Sequence, residues 1–396
     1  MVPSDNVKLI IKAIAFFLIT WSLLLASGAA QDNTFASLGD LWMETMSDQT
    51  LMNFSDYTYE TDLHSQLPAA QGIISLAFPI LDLNQDNATD LLVLNITSDP
   101  ATAAFSSEIS AMSGRNGSVL WAKDYPDSLA FASPAGDLNG DGRTDIMVDV
   151  VLAGTKFIPY SSIAVLDGGN GTEIWSKPQI LAVTFAYPVK DTTGDNASEF
   201  IVHVFGIDSL NNTVATKIAL VSGADGTEMD ARIFPGAVAI EYPAGNFTGD
   251  LLQDSIEAVY GLNESSQDIT TTIAAIDSSN RSTLWNKTFS CLALAAPAPD
   301  LTGDGKDELA VYLMSFANNS TSSEMEIIQG ADGRRLWQKS FGSSLAFATA
   351  GPDLTGDGKK DLIVYRLGES GDNEVQAVKG DDGKLLWSKT GMIIMP

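Results

Sequence analysis

The chain has 396 residues, and its 50 acidic against 22 basic side chains give a formal net charge of −28. That balance excludes a nucleic-acid binder, which needs a cationic surface to displace phosphate counterions. The length is ample for a large buried core. A single cysteine, Cys291, excludes an internal disulfide framework, so stability has to come from packing and bound metal. In its Leu292-Ala-Leu setting Cys291 reads as a small buried apolar residue.

At the N-terminus Lys8 and Lys12 precede an apolar run from Ala13 to Ala26, and Ser27-Gly-Ala-Ala30 follows with the small residues of a cleavage site. Residues 1–30 therefore read as a secretory signal peptide. A retained anchor is the alternative, since Leu9 to Ala26 approaches the length of a span. No second apolar run of spanning length follows, so the mature chain is expected to be secreted or held at the cell surface with no span of its own. The glycosylation sequon occurs at Asn53, Asn87, Asn95, Asn116, Asn170, Asn196, Asn211, Asn246, Asn263, Asn280, Asn286, Asn318 and Asn319, as in a surface glycoprotein.

From Gln71 onward the chain repeats. Oxygen-rich loops begin at residues 82, 137, 191, 246, 300 and 353, a period of 53–55 residues, and such a period means an array architecture. The loop at Asp137 places Asp137, Asn139, Asp141 and Asp145 at alternate or near-alternate positions, with Gly142 at the sharp turn and the carbonyl of Arg143 as a further oxygen. The corresponding sets are Asp82, Asn84, Asp86 and Asp90; Asp191, Thr193, Asp195 and Glu199; and Asn246, Thr248, Asp250 and Asp254. They continue with Asp300, Thr302, Asp304, Lys306 and Glu308, and with Asp353, Thr355, Asp357, Lys359 and Asp361. Hard oxygen donors at this spacing suit Ca2+, here several structural ions. Glycine at the sixth position ranks the loops at Asp137, Asp300 and Asp353 first; Asn87 and Asn196 stand there in two others, and Leu251 makes the Asn246 loop the weakest.

A second marker alternates with the first. Asn116-Gly, Asn170-Gly, Asp225-Gly, Asn280-Arg, Asp332-Gly and Asp382-Gly each lie shortly before Trp121, Trp175, Asp230, Trp285, Trp337 and Trp387. Asn-Gly between extended runs predicts a tight hairpin with positive φ at both central residues. Asp230 replaces the tryptophan once, so packing is expected to differ there. In the second repeat the predicted strands are A, Leu129 to Ala135; B, Asp145 to Leu152, with Ile146, Val148 and Val150 sharing a face; C, Ser162 to Leu166; and D, ending at Trp175. Four antiparallel strands in each of six repeats predict an all-β β-propeller over 71–396, with 31–70 a lead-in or part of a degenerate seventh blade closed by Gly391 to Pro396.

The run Phe131-Ala-Ser-Pro-Ala-Gly136 leading into Asp137-Leu-Asn-Gly-Asp-Gly142 resembles the FG-GAP repeat of integrin alpha-subunit propellers and related microbial proteins, over roughly Gln71 to Lys389. The Trp-bearing hairpins also resemble those of quinoprotein-type propellers. The resemblance implies a calcium-binding ring of about seven blades, six of them marked here.

Chemistry is narrowed by exclusion. His64 and His203 are the only histidines and fall in different repeats, with His203 read as a core or strand-face residue. No nucleophile elbow, zinc-spaced set or phosphate-cradling loop occurs. The expected function is a secreted or surface-held adhesion or ligand-binding module for an extracellular protein or glycan. The alternatives are an extracellular polysaccharide-active or quinone-dependent enzyme and an envelope scaffold. Specificity is expected in the unlike segments Asn95 to Ala104, Ala153 to Ser161, Phe205 to Thr213, Tyr260 to Asp268, Met314 to Ser323 and Arg366 to Asn373. Lys156, Phe157 and Tyr160 are the expected partner contacts.

Overall fold

Runs such as Asp145-Ile-Met-Val-Asp-Val-Val-Leu152 are rich in β-branched residues and bounded by glycine-rich turns, and they form strands throughout. The structure is a computed structural model that describes residues 73–99, 104–152, 160–208, 213–250, 252–262, 269–317, 320–368 and 372–391.

The first sheet is β1 (Ile73–Ile80), β2 (Asp90–Asp99), β3 (Ala104–Met112) and β4 (Val119–Tyr125). The second is β5 (Ser128–Gly136), β6 (Asp145–Leu152), β7 (Tyr160–Leu166) and β8 (Glu173–Ile180). The third is β9 (Ala182–Val189), β10 (Glu199–Asp208), β11 (Thr213–Ser222) and β12 (Glu228–Pro235). The fourth is β13 (Ala237–Pro243), β14 (Ser255–Leu262), β15 (Ile269–Ile276) and β16 (Thr283–Phe289). The fifth is β17 (Leu292–Ala298), β18 (Glu308–Ala317), β19 (Ser320–Gln329) and β20 (Arg335–Gly342), and the sixth is β21 (Ser344–Ala350), β22 (Leu362–Gly368), β23 (Glu374–Val378) and β24 (Leu385–Thr390). Each sheet keeps its strands in chain order. Six successive four-stranded antiparallel meanders, one per repeat, are the blades of a β-propeller. The expected seventh blade, from residues 31–70 with Gly391 to Pro396, lies outside the described residues except for Gly391, and the signal segment lies outside them altogether.

The chain divides into two compact units, Met1–Gly206 with Ala219–Ala231 and Met395–Pro396, and Ile207–Ile218 with Arg232–Ile394. In the first unit Ile146, Val148 and Val150 share a core with Leu92, Leu94, Ile109 and Trp121 of the first sheet. The alternate residues Met147, Ile163 and Val165 pack with Phe200, Val202, Ala219 and Val221 of the third. Both faces of β6 are thus buried, which explains its nearly unbroken apolar run. Burial of each Val or Ile contributes roughly 1.5–3 kcal/mol before entropy is counted. The second unit has two cores of the same kind, one with Phe247, Ile256, Ile273 and Leu309, the other with Leu301, Met325, Ile327 and Val364.

Polar clasps join successive sheets. The Ser107 hydroxyl donates to the Ser128 carbonyl at 3.0 Å and accepts from the Ala130 amide at 3.1 Å. Thr271 does the same with Cys291 and Ala293, and Thr216 with Ala237 and Ala239. Further out, the indole N–H groups of Trp121, Trp175, Trp285 and Trp337 donate to the carbonyls of Gly168, Gly223, Gly330 and Gly380 at 2.6–2.8 Å.

Several sequence expectations are corrected. Strand D does not end at Trp175: β8 begins at Glu173 and continues to Ile180, because it must pair the whole of β7, with Ile180 opposite Tyr160. The Asn-Gly turns are longer than two-residue hairpins. Gly117 has φ +72° but Asn116 is not in the left-handed region, and the turn closes through the Gly117 amide on the Ser113 carbonyl and the Ser113 amide on the Ser118 carbonyl. The unlike segments are shorter than expected, since β2 and β3 run on to Asp99 and from Ala104. Asn95 is therefore a strand residue whose amide donates to Glu108 at 3.0 Å. His203 is fully buried and stacks on Phe185 with ring centroids 4.3 Å apart, a core residue as expected.

Candidate cation loops

Each loop between strands A and B is shaped by its own carboxylates. Asp137 accepts the amides of Gly140, Asp141 and Gly142 at 2.7–3.2 Å, and Asp300 and Asp353 repeat this with Gly303, Asp304 and Gly305 and with Gly356, Asp357 and Gly358. The fifth residue then accepts the amide two positions on, as Asp141 does from Arg143, Asp304 from Lys306 and Asp357 from Lys359. The sixth residue is left-handed, with φ +83° at Gly142, +81° at Gly305 and +84° at Gly358. Asn87 and Asn196 adopt +61° and +70° there, a conformation asparagine tolerates. The Asn246 loop is stitched instead to its neighbour, its amide donating to Asp307 at 2.8 Å.

The ninth residue divides the loops into two kinds. Where it is aspartate, the short buried side chain is consumed as a clamp. Asp145 accepts the Leu138 amide at 2.8 Å on one oxygen and the Gly168 amide at 3.1 Å on the other. Asp90 holds Leu83 and Gly114, Asp254 holds Phe247, Thr248 and Ser278, and Asp361 holds Leu354, Thr355 and Gly380. Where it is glutamate, the extra methylene carries one oxygen back into the loop. Glu199 accepts the Thr192 amide with Oε2 while Oε1 lies 3.4 Å from the Thr193 hydroxyl. Glu308 does the same with Leu301 and Thr302.

As a result, carboxylate oxygens of Asp191, Asp195 and Glu199 lie within 4.8 Å of one another, and so do those of Asp300, Asp304 and Glu308. In three of the four aspartate loops the fifth residue also meets a cation. Arg115 lies 3.4 Å from Asp86, Arg143 3.1 Å from Asp141 and Lys379 3.2 Å from Asp357. Asp304 instead accepts, besides the Lys306 amide, the neutral side-chain amide of Gln329 at 2.8 Å. Among the described residues no ion pair reaches the six carboxylates of the two glutamate loops. Burial, opposed by the Leu301 amide and reinforced by Asp300 and Asp304, pushes Glu308 up to about 7. Asp191 and Asp353 are held below the usual carboxylate range, chiefly by the amides of Gly194 and Gly358.

The donor sets of the glutamate loops fit a divalent cation: three carboxylates and a threonine hydroxyl, Thr193 or Thr302, without a competing cation. The structure thus groups the loops by the ninth residue, whereas glycine at the sixth had suggested Asp137, Asp300 and Asp353. The signal was present in the sequence as Glu against Asp, but the amide on the second oxygen of each aspartate, and Arg115 and Lys379, come from the distant turns between strands C and D. Of the expected partner contacts, Tyr160 begins β7, while Lys156 and Phe157 lie outside the described residues.

No protein-family model and no curated protein matches the chain, so the FG-GAP resemblance is not extended to membership. Among solved structures it is similar to Bacillus licheniformis rhamnogalacturonan lyase PL11, with 14% identity and a TM-score of 0.39 over 82% of this chain and 65% of that one. Rhamnogalacturonan lyase YesW gives 15% and 0.40 over 80% and 64%, and the Dos1 propeller 11% and 0.39 over 80% and 73%. The chain thus spans just under two thirds of the length of the two lyases. None of these likenesses reaches the level of individual residues, and what the chain itself displays is the blade architecture, an all-β β-propeller of six four-stranded sheets.

Proposed function

We propose that this chain is a Ca2+-stabilised, FG-GAP-like β-propeller working outside the cell as a binding module for a glycan or protein, with two of its six loops as the main cation sites. The observation that carries the reading is the pair of three-carboxylate clusters, Asp191/Asp195/Glu199 and Asp300/Asp304/Glu308, free of Lys and Arg partners among the described residues. Carboxylates crowded at that spacing repel one another, and a divalent cation relieves the repulsion while tying the start of strand B to the loop before it. Binding only the folded form, the ion would raise stability in proportion to its occupancy. Rigid sheets with variable connections are suited to display contact residues.

An extracellular enzyme acting on acidic polysaccharide is the second reading, since a bound divalent cation would also neutralise uronate carboxylates. Incubation with rhamnogalacturonan and with neutral glycans, with and without Ca2+, separates the two. Ca2+-dependent retention on the polymer without change in chain length supports the binding module, and shortening of the polymer supports the enzyme. Absence of retention, of polymer shortening and of any Ca2+ dependence of the melting temperature would remove both.

A further inference from the structure

One seam of the second unit is charged where its counterparts are apolar. Five residues before each loop the chain has Ala77, Ala132, Ala186, Ala295 and Ala348, but Glu241 in the fourth sheet. Three residues after each ninth-position acid it has Val93, Val148, Val202, Val311 and Val364, but Glu257 in the fourth sheet. At the turn glycine of the other repeats stands Arg281, which keeps the left-handed backbone at φ +62° despite its side chain. These three departures come from separate stretches of sequence, and they meet.

Glu241 and Glu257 are direct cross-strand partners on β13 and β14, and both are buried. Arg281 grips Glu241 with both terminal nitrogens, Nη2 to Oε2 at 2.8 Å and Nη1 to Oε1. Arg232, from β12, donates through Nη2 to Glu241 at 3.0 Å and places Nη1 2.8 Å from Glu257. Two carboxylates thus share two guanidiniums.

A buried ion cluster of this kind is seldom a net source of stability, because desolvation cancels most of the attraction. Its discriminating power is large. An apolar edge set against Glu241 and Glu257 would remove Arg232 from both: Glu241 would keep Arg281, but Glu257 would lose the guanidinium 2.8 Å away, and an unpaired buried charge is far costlier than a paired one. Repeats of one architecture face that problem during folding, since misassembly and swapping of like elements are characteristic failures of repeat proteins.

We propose that the Arg232/Glu241/Glu257/Arg281 cluster is a matching key: it fixes which strand edge the fourth sheet accepts as its neighbour during folding, and contributes little to the stability of the finished fold. The test returns the cluster to the residues of the other repeats in the full chain, Glu241→Ala, Glu257→Val and Arg281→Gly together. Thermal melting and the recovery of monomer after dilution from denaturant, by size-exclusion chromatography, are both measured. The key predicts a melting temperature at or above the parent's with monomer recovery reduced about threefold or more in favour of aggregates. Undiminished recovery, or a large fall in melting temperature, overturns it. Should the variant yield no soluble protein, refolding of the parent across a NaCl gradient decides: recovery that falls with salt at constant melting temperature supports the key, and salt-independent recovery overturns it.

Discussion

The indole N–H of Trp121 donates to the carbonyl of Gly168 at 2.8 Å across 47 residues of sequence, and the same ring covers the turn that Gly168 begins. A Cβ at Gly171 would stand 2.7 Å from the ring, on a backbone with φ +72°. The Asn-Gly turn is therefore a docking face for the tryptophan of the preceding sheet as well as a reversal of the chain.

Gly171→Ala should accordingly cost about 2–4 kcal/mol, combining left-handed strain with overpacking. Gly140→Ala, at φ +79° with open space around the Cβ position, should cost only the strain, about 1–2 kcal/mol. Urea unfolding of the two variants measures the difference, and equal losses would mean that the ring contact contributes nothing.

The ninth-position aspartates are expected to matter whether or not metal is present. Asp361 is fully buried and accepts three amides, from Leu354, Thr355 and Gly380. Asp361→Ala should lose about 2–4 kcal/mol in chelator and in Ca2+ alike, since orphaned buried donors cost about 1–3 kcal/mol each and partly rehydrate. Unfolding curves of the variant under both conditions check this; a loss seen only in Ca2+ would make Asp361 a ligand.

How much of this was legible beforehand varies by feature. The repeat, the strands A, B and C, the shared face of Ile146, Val148 and Val150 and the core place of His203 all follow from local pattern, and they stand in the structure. The length of strand D was not legible from Trp175, because the strand is extended by pairing with Tyr160 and its neighbours rather than by its own composition. The sequon at Asn95 looked like loop, yet cross-strand pairing with Glu108 makes it strand. The division of the loops by their ninth residue was not legible for a similar reason. Glycine at the sixth position shapes the turn, but whether Asp145 or Glu308 has an oxygen to offer depends on amides from turns more than 20 residues away, such as Gly168.

Without metal, Glu308 should make the protein less stable as pH rises. Its folded pKa, about 7, lies above the ordinary 4.5, so the stabilising contribution of its protonated form is fully present below about pH 4.5 and is lost as pH passes 7. The contribution is of order 1–3 kcal/mol. Melting temperatures of the metal-free parent and Glu308→Gln, compared from pH 4.5 to about 8, should converge at the acid end and separate at the alkaline end, with the variant higher. Parallel curves would show that Glu308 does not titrate in that window.

The number of tightly bound Ca2+ ions per chain tests the central claim most directly. Native mass spectrometry alongside calorimetric titration should find two strong sites in the parent, one in Glu308→Asp and none in Glu199→Asp with Glu308→Asp, since the shorter side chain would turn to the backbone clamp used by Asp145. Strong sites that persist in the double variant, or that are lost on changing Asp141 and Asp357 instead, would contradict the division of the loops by their ninth residue.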